Sequence, residues 1–137
     1  METKAAVVFE SSGEFSIEQL QISDPNDDEV LVRIVGVGIC HTDLAARDMH
    51  LPIPAPPSVF GHEGAGVVET FGARVTKVKP GDHVALSWDC CGACPSCKSG
   101  NNTYCHNFFL HNFNGARPDG TTTLRKGDQD IHGAFFS

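Results

Sequence analysis

Five of the six cysteines fall within 16 residues, between Cys90 and Cys105. Disulfide frameworks in small secreted chains spread their cysteines through the sequence, so a cluster this tight points to metal instead. The run Cys91-Gly92-Ala93-Cys94-Pro95-Ser96-Cys97, followed after seven residues by Cys105, has two-residue spacers that let the chain loop so that its sulfurs face one point. Gly92, Pro95, Gly100 and Asn101 supply the tight turns and positive φ values that such looping requires. Tetrahedral Zn²⁺ takes four thiolates at about 2.3 Å, and four thiolates leave no open position, so the site reads as closed and structural. A set of buried reduced thiols and a disulfide-bonded lobe are the competing readings, and the spacing favours metal over both. Cys90 is one cysteine too many for a four-ligand site and reads as a bystander thiol.

The chain of 137 residues has the length of a single domain with one core. Ten Lys and Arg against 17 Asp and Glu give a net charge of −7. With no basic run it has little means of neutralising phosphates, which argues against nucleic acid and anionic membranes as partners. No apolar run approaches the roughly 20 residues that span a bilayer. Met1-Glu2-Thr3-Lys4 leads straight into a strand-like pattern without a signal-peptide core, so the expected location is cytoplasmic.

Residues 5–9, 15–22, 29–39, 59–71 and 82–87 read as strands. The second is one step out of phase, with Phe15, Ile17, Leu20 and Ile22 apolar. The third is β-branched nearly throughout and is expected to be buried on both faces. Residues 42–48 are helix-prone, with Cys40 to Thr42 as entry and cap. Four prolines between Pro52 and Pro57 exclude regular structure and make residues 51–57 a stiff loop. Residues 106–132 read as polar loop, and Ala134-Phe135-Phe136-Ser137 as a strand just starting. Many short strands punctuated by Gly and Pro give a β-rich, barrel-like domain.

A second constellation is split along the chain. Cys40-His41-Thr42-Asp43 and Gly61-His62-Glu63-Gly64-Ala65-Gly66 each sit at a strand–loop junction. A thiolate and an imidazole make an incomplete zinc site of the catalytic kind, which takes three protein ligands and keeps one position open. Asp43 and Glu63 are placed to orient a ligating imidazole or adjust its charge. A lone cysteine or histidine is otherwise a core or surface residue.

Taken together, these motifs resemble the zinc-dependent medium-chain alcohol dehydrogenases. The resemblance rests on Cys40-His41-Thr42-Asp43, on residues 59–69, on Lys79-Pro80-Gly81-Asp82-His83-Val84 and on the four-cysteine lobe, and the aryl (benzyl) alcohol dehydrogenase branch is the most similar. It implies a mainly β fold: a GroES-like twisted partial barrel with a short helix and a zinc lobe at about 90–106. The family follows this with a Rossmann domain that binds NAD. Neither Gly61 to Gly66 nor Gly36-Val37-Gly38 fits a dinucleotide turn, so that domain is absent from this chain and residues 1–137 are expected to be an incomplete catalytic domain.

The resemblance also implies the chemistry. Cys40 and His62 would hold a catalytic zinc, with a third ligand, a cysteine, beyond Ser137; Cys91, Cys94, Cys97 and Cys105 would hold a structural zinc, two ions per full-length subunit. A primary, aromatic alcohol would be oxidised to its aldehyde through a zinc-bound alkoxide, with hydride passing to NAD or NADP. Thr42, Asp43 and Glu63 form the catalytic set, Thr42 matching the hydroxyl that passes the proton outward, and His41 matches a position that meets the cofactor pyrophosphate. Where many members place a histidine to complete the proton relay this chain has Ala45, and His50 lies nearby, so release through water is expected. Ser87, Trp88 and Phe135 fall near cleft-lining positions. The chain alone is expected to be inactive, and the full-length enzyme to be a homo-oligomer. The alternatives are a polyol or formaldehyde dehydrogenase of the same family, or a non-catalytic zinc-stabilised binding module.

Overall fold

A computed structural model describes residues 1–51, 53 and 55–133. Strands β1 (Glu2–Val8) and β2 (Ser16–Ile22) form an antiparallel hairpin running from Glu2 opposite Gln21 to Val7 opposite Ser16. The phase slip in β2 resolves by strand parity: Leu20 and Ile22 face inward and Ile17 stands outside, exposed. A two-residue strand β4 (Ser58–Val59) pairs with β1. The strands β7 (Leu124–Lys126) and β8 (Gln129–Gly133) close the ring in the order β1-β2-β7-β8-β4. Its interior holds Val7, Leu20, Leu124 and Ile131, with Ala5, Ile22 and Val59 packed against them.

A separate three-stranded sheet carries the chain into the metal-binding segments. It comprises β3 (Val30–Val37), β5 (Gly64–Phe71) and β6 (His83–Ala85). The helices are short: α1 (His41–Arg47), α2 (Pro95–Lys98) and α3 (Phe108–Asn112), with a 3₁₀ turn at Asn102–Tyr104. The mainly β, partial-barrel architecture is therefore as expected. No open parallel sheet flanked by helices occurs among the described residues.

Three readings are corrected. β3 is not buried on both faces: Ile34 and, on the opposite face, Val35 and Val37 are exposed, because neither face is covered along this part of the strand among the described residues. Its β-branched run reflects fit to a pleated backbone rather than burial. The stretch 59–71 is not one strand; the chain leaves β4 and re-enters pairing at Gly64, so His62 and Glu63 lie in the gap. Residues 106–132 are not all loop, since α3 and the β7–β8 hairpin lie within them. That hairpin gives no alternating run because Leu124 and Ile131 are its only apolar side chains, and both turn into the ring, while Arg125, Lys126, Gln129 and Asp130 face water. In the proline-rich loop Ile53 is buried, and Pro52 and Pro54 lie outside the described residues, as does the strand read at 134–137.

One ion pair ties the two sheets' connecting loops together. Arg117 donates to Glu29 from Nε (2.6 Å) and Nη2 (2.7 Å), and Nη2 also donates to Ser23 Oγ at 3.0 Å. Burial opposes ionisation of Glu29, but the Arg117 bonds and the Asn26 N–H outweigh it and hold its pKa below the ordinary 4.5. We predict that Arg117→Leu lowers unfolding free energy at pH 7 by about 2 kcal/mol in urea titrations. Because the folded Glu29 pKa is depressed, the pair's contribution is complete above the unfolded value and fades as acid protonates the carboxylate. The gap between wild type and variant should therefore narrow below about pH 4.

Candidate metal centres

The first centre forms where β3 ends and α1 begins. Cys40 has extended backbone (φ −109°, ψ 153°) and caps α1. Asp43, three residues on, turns back so that its Oδ2 accepts the Cys40 N–H at 3.0 Å. This is the reciprocal half of a helix capping box, and it fixes how the cysteine leaves the strand. The same carboxylate reaches across the fold, with Oδ1 3.1 Å from His62 Nδ1. Asp43 is only 7% exposed, so its two partners replace the water that burial removes. A proton on Nδ1 facing Asp43 leaves the lone pair on Nε2, the tautomer suited to a metal ligand.

Cys40 Sγ, a His62 ring nitrogen and a Glu63 carboxylate oxygen all lie within 4.8 Å of one another. The thiol is biased toward thiolate, first by the Thr42 hydroxyl and amide and then by the His62 ring; Sγ and Thr42 Oγ1 are 3.4 Å apart. Thiolate, imidazole and carboxylate are the donor types that zinc takes, and three of them leave a tetrahedral position over. The donor set thus fits the ion. Asp43 stands behind the imidazole and the Glu63 carboxylate stands among the donors, so the residues present offer three candidate ligand atoms.

Sequence reading missed the residue that makes room for Glu63. Gly38 donates its N–H to the Glu63 carbonyl at 2.8 Å. A Cβ built on Gly38 would come within 1.9 Å of Glu63 Oε2 and 2.9 Å of its Cβ. The signal was present as the second glycine of Gly36-Val37-Gly38, weighed only as a possible dinucleotide turn. Of the other site residues, His41 is exposed at the first position of α1, and Thr42 is half-buried beside the sulfur. Ala45 lies within α1, and the exposed His50 donates its backbone N–H to Ala45 O at 2.8 Å. Ser87 is exposed, Trp88 stacks on His62, and Phe135 lies outside the described residues.

The second centre is the cysteine lobe. The Sγ atoms of Cys91, Cys94, Cys97 and Cys105 lie within 4.8 Å of one another, and Cys94 and Cys97 are 3.5 Å apart. A tetrahedron with arms of about 2.3 Å has edges of about 3.8 Å, so these sulfurs stand near coordination spacing. Backbone amides point at the sulfurs: Cys94 N–H to Cys91 (3.4 Å), His106 N–H to Cys94 (3.5 Å), and Cys91 and Asn107 N–H to Cys105 (both 3.4 Å). The His106 amide leads in pulling the Cys94 pKa down to about 6, while burial and then the adjoining thiols push Cys97 up. Charge on one crowded sulfur opposes charge on the next, and a dication removes that conflict. All six cysteines are free thiols, and Cys90 lies outside the four-sulfur set. Gly92 (φ 65°) and Gly100 (φ 84°) take the left-handed turns, whereas Asn101 (φ −97°) does not need one.

Two clusters of metal-type donors on a small β-barrel are suited to binding metal, and comparison with known proteins gives the family. The chain belongs to the alcohol dehydrogenase GroES-like domain family, whose profile matches residues 26–129. It is 45% identical to a geraniol dehydrogenase of Castellaniella defragrans over 134 residues, covering 97% of this chain and 35% of that protein. It is 43% identical to an NDMA-dependent alcohol dehydrogenase of Amycolatopsis methanolica, covering 95% and 35%. Among solved structures, benzyl alcohol dehydrogenase from Acinetobacter calcoaceticus superposes with a TM-score of 0.91 at 42% identity, covering all of this chain and 36% of that one. An alcohol dehydrogenase zinc-binding domain protein from Burkholderia ambifaria gives 0.95 at 48%, covering 99% and 37%. The chain therefore spans about a third of the length of these relatives.

The Gly38 notch carries a prediction. Gly38→Ala should push the Glu63 carboxylate off the first centre and weaken zinc there by about tenfold to a hundredfold, while the four-cysteine lobe keeps its ion. Competitive chelator titration with zinc analysis would measure this, and Glu63→Gln should give a similar loss.

Proposed function

We propose that this chain forms the metal-binding part of the catalytic domain of a zinc-dependent alcohol dehydrogenase that oxidises primary alcohols to aldehydes with a nicotinamide cofactor. The observation that carries the reading is the convergence of Cys40, His62 and Glu63, with buried Asp43 fixing both the cysteine's backbone and the imidazole. When bound there, zinc supplies a Lewis acid that lowers the pKa of an alcohol oxygen, much as it lowers that of water to about 7. Cys40 and His62 would hold the ion, with the Glu63 carboxylate within reach as a further donor. Thr42, close to Cys40 Sγ, is placed to take the substrate proton, since a hydroxyl both accepts and donates. His41 is exposed beside it and suits a cofactor pyrophosphate. Ala45 carries no proton, so the relay ends in water.

The four cysteines of the lobe hold a second, structural zinc, giving two ions per subunit. Residues 1–137, with the lobe at about 90–106, then belong to the catalytic domain, and cofactor binding falls to a Rossmann domain of the larger enzyme, which acts in the cytoplasm as a homo-oligomer. No helix among the described residues is long and apolar enough to cross a membrane. Substrate preference is drawn from the relatives and the wall of the centre. Geraniol and benzyl alcohol both carry the hydroxyl one carbon from a π-system, and the half-exposed Trp88 beside His62 gives the centre an aromatic wall suited to such a group.

The test is alcohol oxidation by the enzyme that contains this chain. Cys40→Ser and His62→Ala should each lower kcat/KM for benzyl alcohol about a thousandfold, roughly 4 kcal/mol of barrier, with the lobe zinc retained. Undiminished turnover in these variants would remove Cys40 and His62 from the catalytic site, and a single zinc confined to the lobe without turnover would leave a zinc-stabilised binding module instead. Ala45→His should alter the pH dependence of hydride transfer by restoring a titratable relay group; an unchanged profile would remove Ala45 from the account.

A further inference from the structure

The two metal centres are joined by aromatic rings. The His62 imidazole lies nearly parallel to the Trp88 indole, 15° between planes with centroids 5.9 Å apart. Trp88 in turn stacks with Phe113 (5.9 Å, 10°) and meets Phe108 at 5.4 Å. Phe108 opens helix α3 and Phe113 caps its end, and the helix is anchored on the lobe. Asn107 N–H donates to Cys105 Sγ at 3.4 Å, and Phe108 N–H donates to Cys105 O at 3.1 Å.

The backbone beside the indole is fastened to the same helix. Asp89 N–H donates to Asn112 Oδ1 at 2.8 Å, and Asn112 Nδ2 donates to Asp89 O at 3.0 Å and to Phe108 O at 2.9 Å. Asn112 is 2% exposed, so this amide is a fully satisfied buried clasp. The Asp89 carboxylate adds a contact to His111 Nδ1 at 2.6 Å. The indole therefore moves with α3, and α3 moves with Cys105.

Asp43 and Trp88 restrain different motions of one ring. The hydrogen bond at Nδ1 fixes the imidazole within its own plane, and the stacked indole fixes its tilt. We infer that Trp88 is a positioning residue that sets the tilt of His62, so that metal occupancy of the four-cysteine lobe controls metal affinity at the Cys40–His62–Glu63 centre. This rests on the reading of that centre as a zinc site. Coupling of this kind is reciprocal, so metal at the first centre also tightens the lobe.

The experiment uses the full-length enzyme with zinc in the lobe, titrating Co²⁺ into the other centre by its visible absorption. Trp88→Leu should weaken Co²⁺ binding there about tenfold, and Trp88→Phe, which keeps a ring, by less than about threefold. Lobe zinc should stay bound in both. Emptying the lobe by Cys94→Ser, which leaves Cys40 untouched, should weaken the first centre in the wild-type background and add little beside Trp88→Leu, the non-additivity expected of residues in one network. Should Trp88→Leu fail to fold, Phe108→Leu loosens the stack from the lobe side and should shift Co²⁺ affinity in the same direction. Equal Co²⁺ affinity in wild type and variants, or loss of lobe metal without effect on the first centre, overturns the coupling while leaving that centre standing. Wild type that takes up no Co²⁺ outside the lobe overturns both.

Discussion

A single buried carboxylate organises the first metal centre. Asp43 spends one oxygen on the Cys40 N–H and the other on the His62 ring, and it is nearly inaccessible to water. A carboxylate out of water is tolerable only when its lone pairs are taken, so the backbone turn after β3 and the imidazole between β4 and β5 are obliged to approach each other. Two segments more than twenty residues apart in sequence are thus registered by one side chain. The donor atoms converge because of that constraint.

The second constraint is steric, and it acts in the opposite sense. Gly38 contributes by having nothing where another residue would have a methyl group. The glycine allows the strand end to pass against Glu63, and the carboxylate turns toward the sulfur and the imidazole. A position that works through empty space writes little into a sequence beyond the letter G. Glycine spacing alone therefore does not separate Gly38 from the glycines of a turn.

What was legible follows the strength of local chemistry. The lobe was plain because four cysteines at fixed short spacings leave little else to form, and the structure gathers those four sulfurs while leaving Cys90 aside. Cys40, His62 and Asp43 were legible through motifs whose partners the structure brings together. The burial of β3 was misread, since Val and Ile favour strands whether or not a layer covers them. The β7–β8 hairpin was missed because Leu124 and Ile131 are separated by polar residues that give no alternating run. The stack from Phe108 and Phe113 through Trp88 to His62 is tertiary in origin, and spacing along the chain carries no trace of it.

The exposed flank of β3 has a consequence of its own. The strand is eight residues long, lies at the rim of its sheet among the described residues, and turns Ile34, Val35 and Val37 toward solvent. Backbone groups along such a rim solicit an extended peptide as readily from a stranger as from a proper neighbour, and greasy side chains reward the match. Arg33, leaning across to Glu69 at 2.6 Å, is the strand's lone cation and spends its charge inside the sheet instead of warding off visitors. Colloidal behaviour in solution therefore turns on what lies beside this one strand.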